Sequence, residues 1–208
     1  MKRYIAAGIF ITAVLIGIIF YFRSQMPSDY GIPEGLRSKG PDTASVVIFE
    51  FSNFECHSCA DSQLYLKEIL KKYPEKIKLV FRHYPNIPIQ HSLWAHISAE
   101  CAARKGKFWE YHDKLFENQK EWSVSPDPLA HFLRYAKELG IDPKEFGDCI
   151  SDERILMAVK QEDREGMNLG IKTTPTFVIN GQYVVGIEQF KQRADKIVEL
   201  ELRKRGEI

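Results

Sequence analysis

The sequence is nearly without net charge. Its 29 Lys and Arg stand against 28 Asp and Glu, and three of the basic residues, Lys2, Arg3 and Arg23, flank an N-terminal apolar run. Residues 24–208 therefore carry 26 basic and 28 acidic groups, a balance of −2, which excludes the basic footprint of a nucleic-acid-binding domain. Cysteine is scarce: four are too few for a scaffold built on disulfides, and a chain of 208 residues does not need one. Internal repeats and low-complexity tracts are absent beyond one Pro- and Gly-rich segment. What is present, 44% hydrophobic, 12% aromatic and 27% charged residues, is the composition of a packed globular protein rather than a disordered or fibrous one. The residues after Arg23 suffice for one domain that buries roughly 70% of its unfolded surface.

Only one long uncharged run exists, Tyr4 to Phe22, nineteen residues preceded by Met1-Lys2-Arg3. At about 1.5 Å per residue in a helix it spans a hydrocarbon core of roughly 30 Å. A secretory signal peptide also starts positively charged, but its apolar stretch is about 7 to 15 residues long and ends in a small-x-small cleavage site. Here Phe20-Tyr21-Phe22-Arg23 puts bulky residues at that place. Residues 1–23 read as an uncleaved single-pass membrane anchor, with a cleaved signal as the alternative. Both leave the N-terminus in the cytoplasm and export the rest, to the periplasm or the outer face of the cell membrane. That compartment is oxidising, so cysteine pairs can form and persist. Residues 24–43 hold three Pro and three Gly without apolar periodicity and read as a tether, with room for a short edge strand.

The pattern then changes. Ser45–Phe51 (SVVIFEF) and Ile77–Arg82 (IKLVFR) read as buried strands, and Ser58–Lys72 between them has helical apolar spacing ended by Pro74. Strand, helix, strand is the unit that opens an α/β domain. From Ile89 to about Gly170 strand signals vanish. Helices are expected at Gln90–Lys105, Lys107–Gln119, Pro128–Leu139 and Pro143–Leu169, their aromatics spaced as core. Thr176–Ile179 and Tyr183–Gly186 then form two short strands around Asn180-Gly181, a dipeptide favoured in type I′ hairpin turns. A charged amphipathic helix, Glu188–Arg203, follows.

The motif that carries chemistry is Cys56-His57-Ser58-Cys59, at the start of the first helix. Residues three apart on a helical turn have Cα atoms roughly 5 to 6 Å apart, within disulfide range. Cys56 faces the unsatisfied N–H groups and the positive end of the helix dipole, which lowers a thiol pKa from about 8.5 into the range of roughly 3.5 to 7. Cys59, one turn in, is shielded and placed to resolve. A lone CxxC also suits half a zinc site or a structural bridge. Zinc needs two further ligands at matching spacing, and Cys101 and Cys149 have no CxxC partners. A c-type haem needs His at position 60, which is Ala. No metal or cofactor is therefore expected. His83, His91, His96, His112 and His131 lie without a ligand-spaced partner and are read as structural or exposed. Cys101 and Cys149, 48 residues apart on two different helices, are read as a structural disulfide worth roughly 3 to 4 kcal/mol, against the alternative of two buried thiols.

The segment Gly40 to Cys56 (GPDTASVVIFEFSNFEC) resembles the lead-in to the active site of the DsbA-type, thioredoxin-fold disulfide oxidoreductases. The likeness continues at Ala99-Glu100-Cys101-Ala102, at Gly106–His112 (GKFWEYH) and at Gly170–Gly181 (GIKTTPTFVING), and covers nearly all of residues 41 to 200. It implies a thioredoxin fold: first half 44–88, helical insertion 89–170 and second half 171–208. It implies that Thr174-Pro175 carries a cis proline facing the CxxC and pairs with a substrate strand. It also implies that Glu50, an acid inside an apolar strand, is a buried carboxylate that exchanges a proton with Cys59. His57 departs from the family, which often has proline after the first cysteine. A charged His57 at this position would favour the Cys56 thiolate.

The resulting expectation is a membrane-tethered dithiol oxidase of exported thiol-containing proteins, working through Cys56 and Cys59. A membrane quinone-linked protein would reoxidise it, as the resemblance implies. The alternatives are a disulfide reductase or isomerase, and a tethered peptide-binding chaperone module that carries a dithiol incidentally.

Overall fold

The computed structural model describes residues 34–85 and 90–208. The run Tyr4–Phe22, expected to anchor the chain, lies outside these residues; among the described ones no helix is long and apolar enough to cross a membrane. A single five-stranded sheet organises the domain. In chain order the elements are a 3-10 turn (Glu34–Arg37), β1 (Ser38–Lys39), β2 (Val46–Ser52), α1 (His57–Lys72) and β3 (Ile77–His83). Six helices follow: α2 (Gln90–Ala103), α3 (Phe108–Glu117), α4 (Gln119–Trp122), α5 (Pro128–Glu138), α6 (Pro143–Ile150) and α7 (Glu153–Asn168). The chain then returns to the sheet as β4 (Thr176–Ile179) and β5 (Gln182–Val185) and finishes in α8 (Gly186–Lys204).

The sheet order is β1-β3-β2-β4-β5. β2 and β3 run parallel, Val46 opposite Ile77 and Ser52 opposite His83, with α1 as the crossover between them. β4 adds antiparallel to the other side of β2, Glu50 facing Phe177. β2 is thus a central strand with both faces covered, which is why its sequence is almost continuously apolar. Val46 and Ile48 pack with Leu66 of α1 and Phe190 and Val198 of α8. On the other side Phe54 and Phe81 pack with Phe108 and Tyr111 of the helical insertion. The β4–β5 turn has both Asn180 (φ 43°) and Gly181 (φ 84°) in the left-handed region, as a type I′ turn requires.

Two departures from the sequence reading have identifiable causes, one local and one long-range. The helix expected over Pro143–Leu169 is broken into α6 and α7, because the Asp152 carboxylate accepts the Arg154 N–H at 2.9 Å and caps a new helix. The segment expected to be tether up to residue 43 is already part of the domain by Glu34. β1 pairs with β3, Ser38 opposite Val80, and the Arg37 side chain is buried. Arg37 forks onto Glu162 of α7 at 2.6 and 2.7 Å and lies 3.3 Å from Glu100 of α2. Such a bidentate pair holds the segment down in a way that composition does not reveal.

Candidate active site

Where β2 ends, the loop Asn53–Glu55 turns the chain into α1. The Asn53 side chain accepts the Glu55 N–H at 2.9 Å and the Ser92 hydroxyl at 2.8 Å, and the Cys56 N–H donates to the Asn53 carbonyl at 3.0 Å. From α4, the buried Gln119 amide donates to the carbonyls of Phe54 (2.7 Å) and Cys56 (3.0 Å). The turn carrying the first cysteine is therefore clamped from the helical insertion.

Cys56 occupies the N-cap of α1, half-buried, and Cys59 sits one turn in, fully buried; both are free thiols. The Cys56 thiol is lowered from 9.0 to about 5. The Cys59 thiol, hydrogen-bonding to the Cys56 sulfur, contributes most; burial opposes it, and the Thr174 side chain and the Cys59 and Ser58 amides add to it. Those amides belong to the first turn of α1, whose positive dipole end favours the thiolate. Burial and the neighbouring Cys56 push the Cys59 thiol well above its ordinary value. One sulfur is thus a ready nucleophile and leaving group, and the other is held protonated.

Thr174-Pro175 lies against this pair. Its peptide bond is cis, and the Cys56 thiol is 3.5 Å from the Thr174 carbonyl oxygen that accepts from it. The loop is thereby joined to a motif 118 residues away in sequence. Glu50 is fully buried, and desolvation raises its carboxyl from 4.5 to about 7 against a hydrogen bond from Gln63. The Gln63 amide donates to Glu50 Oε1 at 2.7 Å and to the Cys59 carbonyl at 3.3 Å, tying the carboxyl to the first turn of α1. His57 is exposed at the mouth of the site. Its Nδ1 lies 2.7 Å from Gln119 Oε1, so the ring is held by the clamp, and the groups that lower Cys56 most are others. Cys101 and Cys149 form a disulfide between α2 and α6.

Sequence reading missed Gln63, Gln119 and a buried polar chain behind the loop. Gln63 had a signal, since it stands four residues after Cys59 on the same helix face. Gln119 had none. The chain runs from the loop outward: the Phe54 N–H donates to His96 Nε2 (3.4 Å), the two Nδ1 atoms of His96 and His83 are 2.7 Å apart, and His83 Nε2 is 3.0 Å from Glu100. Those contacts fix the tautomers, with His96 donating to His83 and His83 to Glu100. Burial, with help from His83 and Arg37, holds His96 well below the usual imidazole range, so it stays neutral. Two of the five histidines that looked scattered thus form one array with Arg37 at its far end.

Comparisons with known proteins agree with this geometry. The family model described as Thioredoxin matches residues 34–198. Among solved structures, the thiol-disulfide exchange protein alpha-DsbA2 from Wolbachia pipientis is 26% identical with a TM-score of 0.67, over 78% of this chain and 86% of that one. BdbD from Bacillus subtilis superposes with a TM-score of 0.68 at 21% identity, over 78% and 92% of the two chains, a likeness of fold. A curated relative, the Na(+)/H(+) antiporter NhaA 3 of Salinispora tropica, is 32% identical over 151 residues, 72% of this chain and 22% of that protein. The chain thus spans about a fifth of the length of that relative. With a family match across most of its length and a CxxC at the expected helix start, the chain belongs to the thioredoxin family.

Proposed function

We propose that this protein is an extracytoplasmic dithiol oxidase, anchored by residues 1–23 with its domain outside the cell membrane, that introduces disulfides into exported proteins. What carries the reading is the placement of Cys56 at the N-cap of α1, 3.5 Å from the Thr174 carbonyl oxygen and one turn before the buried Cys59, which favours its thiolate. A thiolate stabilised in the folded protein favours the reduced form of the enzyme, which makes its disulfide the stronger oxidant.

A substrate thiolate attacks the Cys56 sulfur of the oxidised pair, and Cys59 leaves and takes up a proton. A second substrate thiolate then attacks the substrate sulfur of the mixed disulfide and expels Cys56 as a thiolate. The low pKa of Cys56 makes it a good leaving group. Two electrons have passed from substrate to enzyme, and a membrane quinone-linked partner is the proposed acceptor. The Thr174-Pro175 loop beside Cys56 offers backbone to an extended substrate segment. Glu50 is placed to exchange the Cys59 proton, because a carboxyl near 7 can both give and take at neutral pH. The experiment is to mix the oxidised protein with a reduced, unfolded two-cysteine protein and follow disulfide formation. Stoichiometric transfer supports an oxidase. Failure to oxidise it, with rapid reduction of a disulfide substrate by the dithiol form, supports the reductase alternative.

A further inference from the structure

Among the described residues, Glu50 Oε2 and Ser52 Oγ are two buried polar atoms between β2 and α1 that make no close hydrogen bond, although the Ser52 side chain lies near enough to the Glu50 carboxyl and the Cys59 thiol to act on both. They are two residues apart on β2 and so on one face of it, the face covered by α1. Both residues are fully buried, and so is Cys59. The Cys59 sulfur accepts the N–H of Asn53, the residue after Ser52, at 3.5 Å. Gln63 bonds the other carboxyl oxygen of Glu50 and the Cys59 carbonyl, closing the same space from the helix side. A fully buried hydroxyl that is not locked into a close hydrogen bond is uncommon, so its position there calls for a use. A hydroxyl donates and accepts at once, which neither the amide of Gln63 nor a methyl group can do for a passing proton.

We propose that Ser52 is the proton relay between Cys59 and Glu50, an inference that rests on the exchange chemistry proposed above. The ionisation of both partners is consistent with it: the Ser52 side chain favours the charged form of Glu50 and of Cys59 alike. In resolution of a mixed disulfide on Cys56, the Cys59 S–H proton passes to Ser52 Oγ as the Ser52 O–H proton passes to Glu50 Oε2. The Cys59 thiolate attacks Cys56 and forms the Cys56–Cys59 bond. The Cys56–substrate bond breaks, and the substrate sulfur leaves as a thiolate with the electron pair. The enzyme pair has lost two electrons, the substrate disulfide has gained them, and Glu50 holds the proton. When a substrate thiolate opens the oxidised pair, the same proton returns from Glu50 to Cys59. The relay therefore serves oxidation and reduction equally.

The test follows the resolving step itself. The reduced full chain is mixed with a chromogenic aryl disulfide, and release of the second aryl thiolate reports attack by Cys59. Ser52→Ala should slow that release at least tenfold at neutral pH, as loss of general-base assistance does, and should converge on wild type at alkaline pH, where Cys59 ionises unaided. Ser52→Thr should restore the rate. Glu50→Gln should be slow in the same way, and the Ser52→Ala/Glu50→Gln double variant no slower than either alone, since the two act as one unit. A Ser52→Ala protein with the wild-type rate and pH profile, alongside a slow Glu50→Gln, overturns the relay and leaves the exchange chemistry standing. A wild-type protein that forms no mixed disulfide at Cys56 overturns both.

Discussion

The chain contains two cysteine pairs whose surroundings could hardly differ more. Cys56 and Cys59 stand on the first turn of α1, one half-exposed at a helix N-terminus, the other fully buried and linked to Glu50 through Gln63, and both are free. Cys101 and Cys149 join α2 to α6 across 48 residues of sequence and are bonded, with the Cys101 side packed among Tyr111, Phe132 and Phe146. A bridge over three residues removes little freedom from the unfolded chain, whereas one over 48 removes much. Conversely, helix amides, a neighbouring thiol and Thr174 make Cys56 reactive, and nothing of that kind is available to a closed bridge. Loop length thus assigns one pair to stability, and local electrostatics assigns the other to chemistry.

The sharpest way to break this contrast is to remove each pair in turn. Cys56→Ser should abolish exchange with a peptide disulfide and also lower the stability of the reduced protein at neutral pH, because the contribution of the stabilised thiolate goes with it. Cys101→Ser/Cys149→Ser should keep the exchange rate of the folded protein and lower its unfolding free energy by about 4 kcal/mol in urea titrations. Loss of exchange in the folded double variant would erase the division. Next in size, Cys59→Ala should trap mixed disulfides with exported proteins, detectable on non-reducing gels, and the absence of adducts would favour a peptide-binding module.

A smaller effect concerns Glu50. Its carboxyl is raised in the folded protein from 4.5 to about 7. The unfolded chain therefore releases this proton first as pH rises, and the contribution present below about pH 4.5 is lost on the way up through about pH 7. Glu50→Gln should then stabilise the protein more at pH 8 than at pH 4, read as urea midpoints; an equal shift at both would contradict the buried, neutral carboxyl. The smallest effect is expected at His57, whose ring is engaged by Gln119. His57→Ala should leave the thiolate absorbance midpoint of Cys56 near pH 5, and a large upward move would restore His57 as the main stabiliser.

Much of this was legible because it is local. The CxxC spacing, the acid inside an apolar strand, the Asn180-Gly181 turn and Pro175 ahead of a strand are each read within a few residues. Strands β2 to β5 lie within one residue of the ends their patterns predict, and the two cysteines of the insertion are paired by compartment and exclusion. What escaped depends on contacts between distant segments. Arg37 looked like part of a tether because its partners, Glu100 and Glu162, lie on helices far along the chain. Gln119 gains its role only when α4 folds back on the Phe54–Cys56 turn. Ser52 was visible as a polar residue two positions after Glu50, yet only the burial of both gives that spacing meaning.

The proposed oxidase depends on a Cys56 thiolate stabilised enough to make the pair an oxidant. The folded thiol lies at about 5 rather than 9.0, so this stabilisation of the reduced protein is full above about pH 9 and is lost as pH falls through about 5. The most direct measurement is the reduction potential of the Cys56/Cys59 couple at neutral pH, equilibrated against glutathione. An oxidase should give a value nearer to about −120 than to about −270 mV, and a value at or below about −250 mV would mark the protein as a reductase.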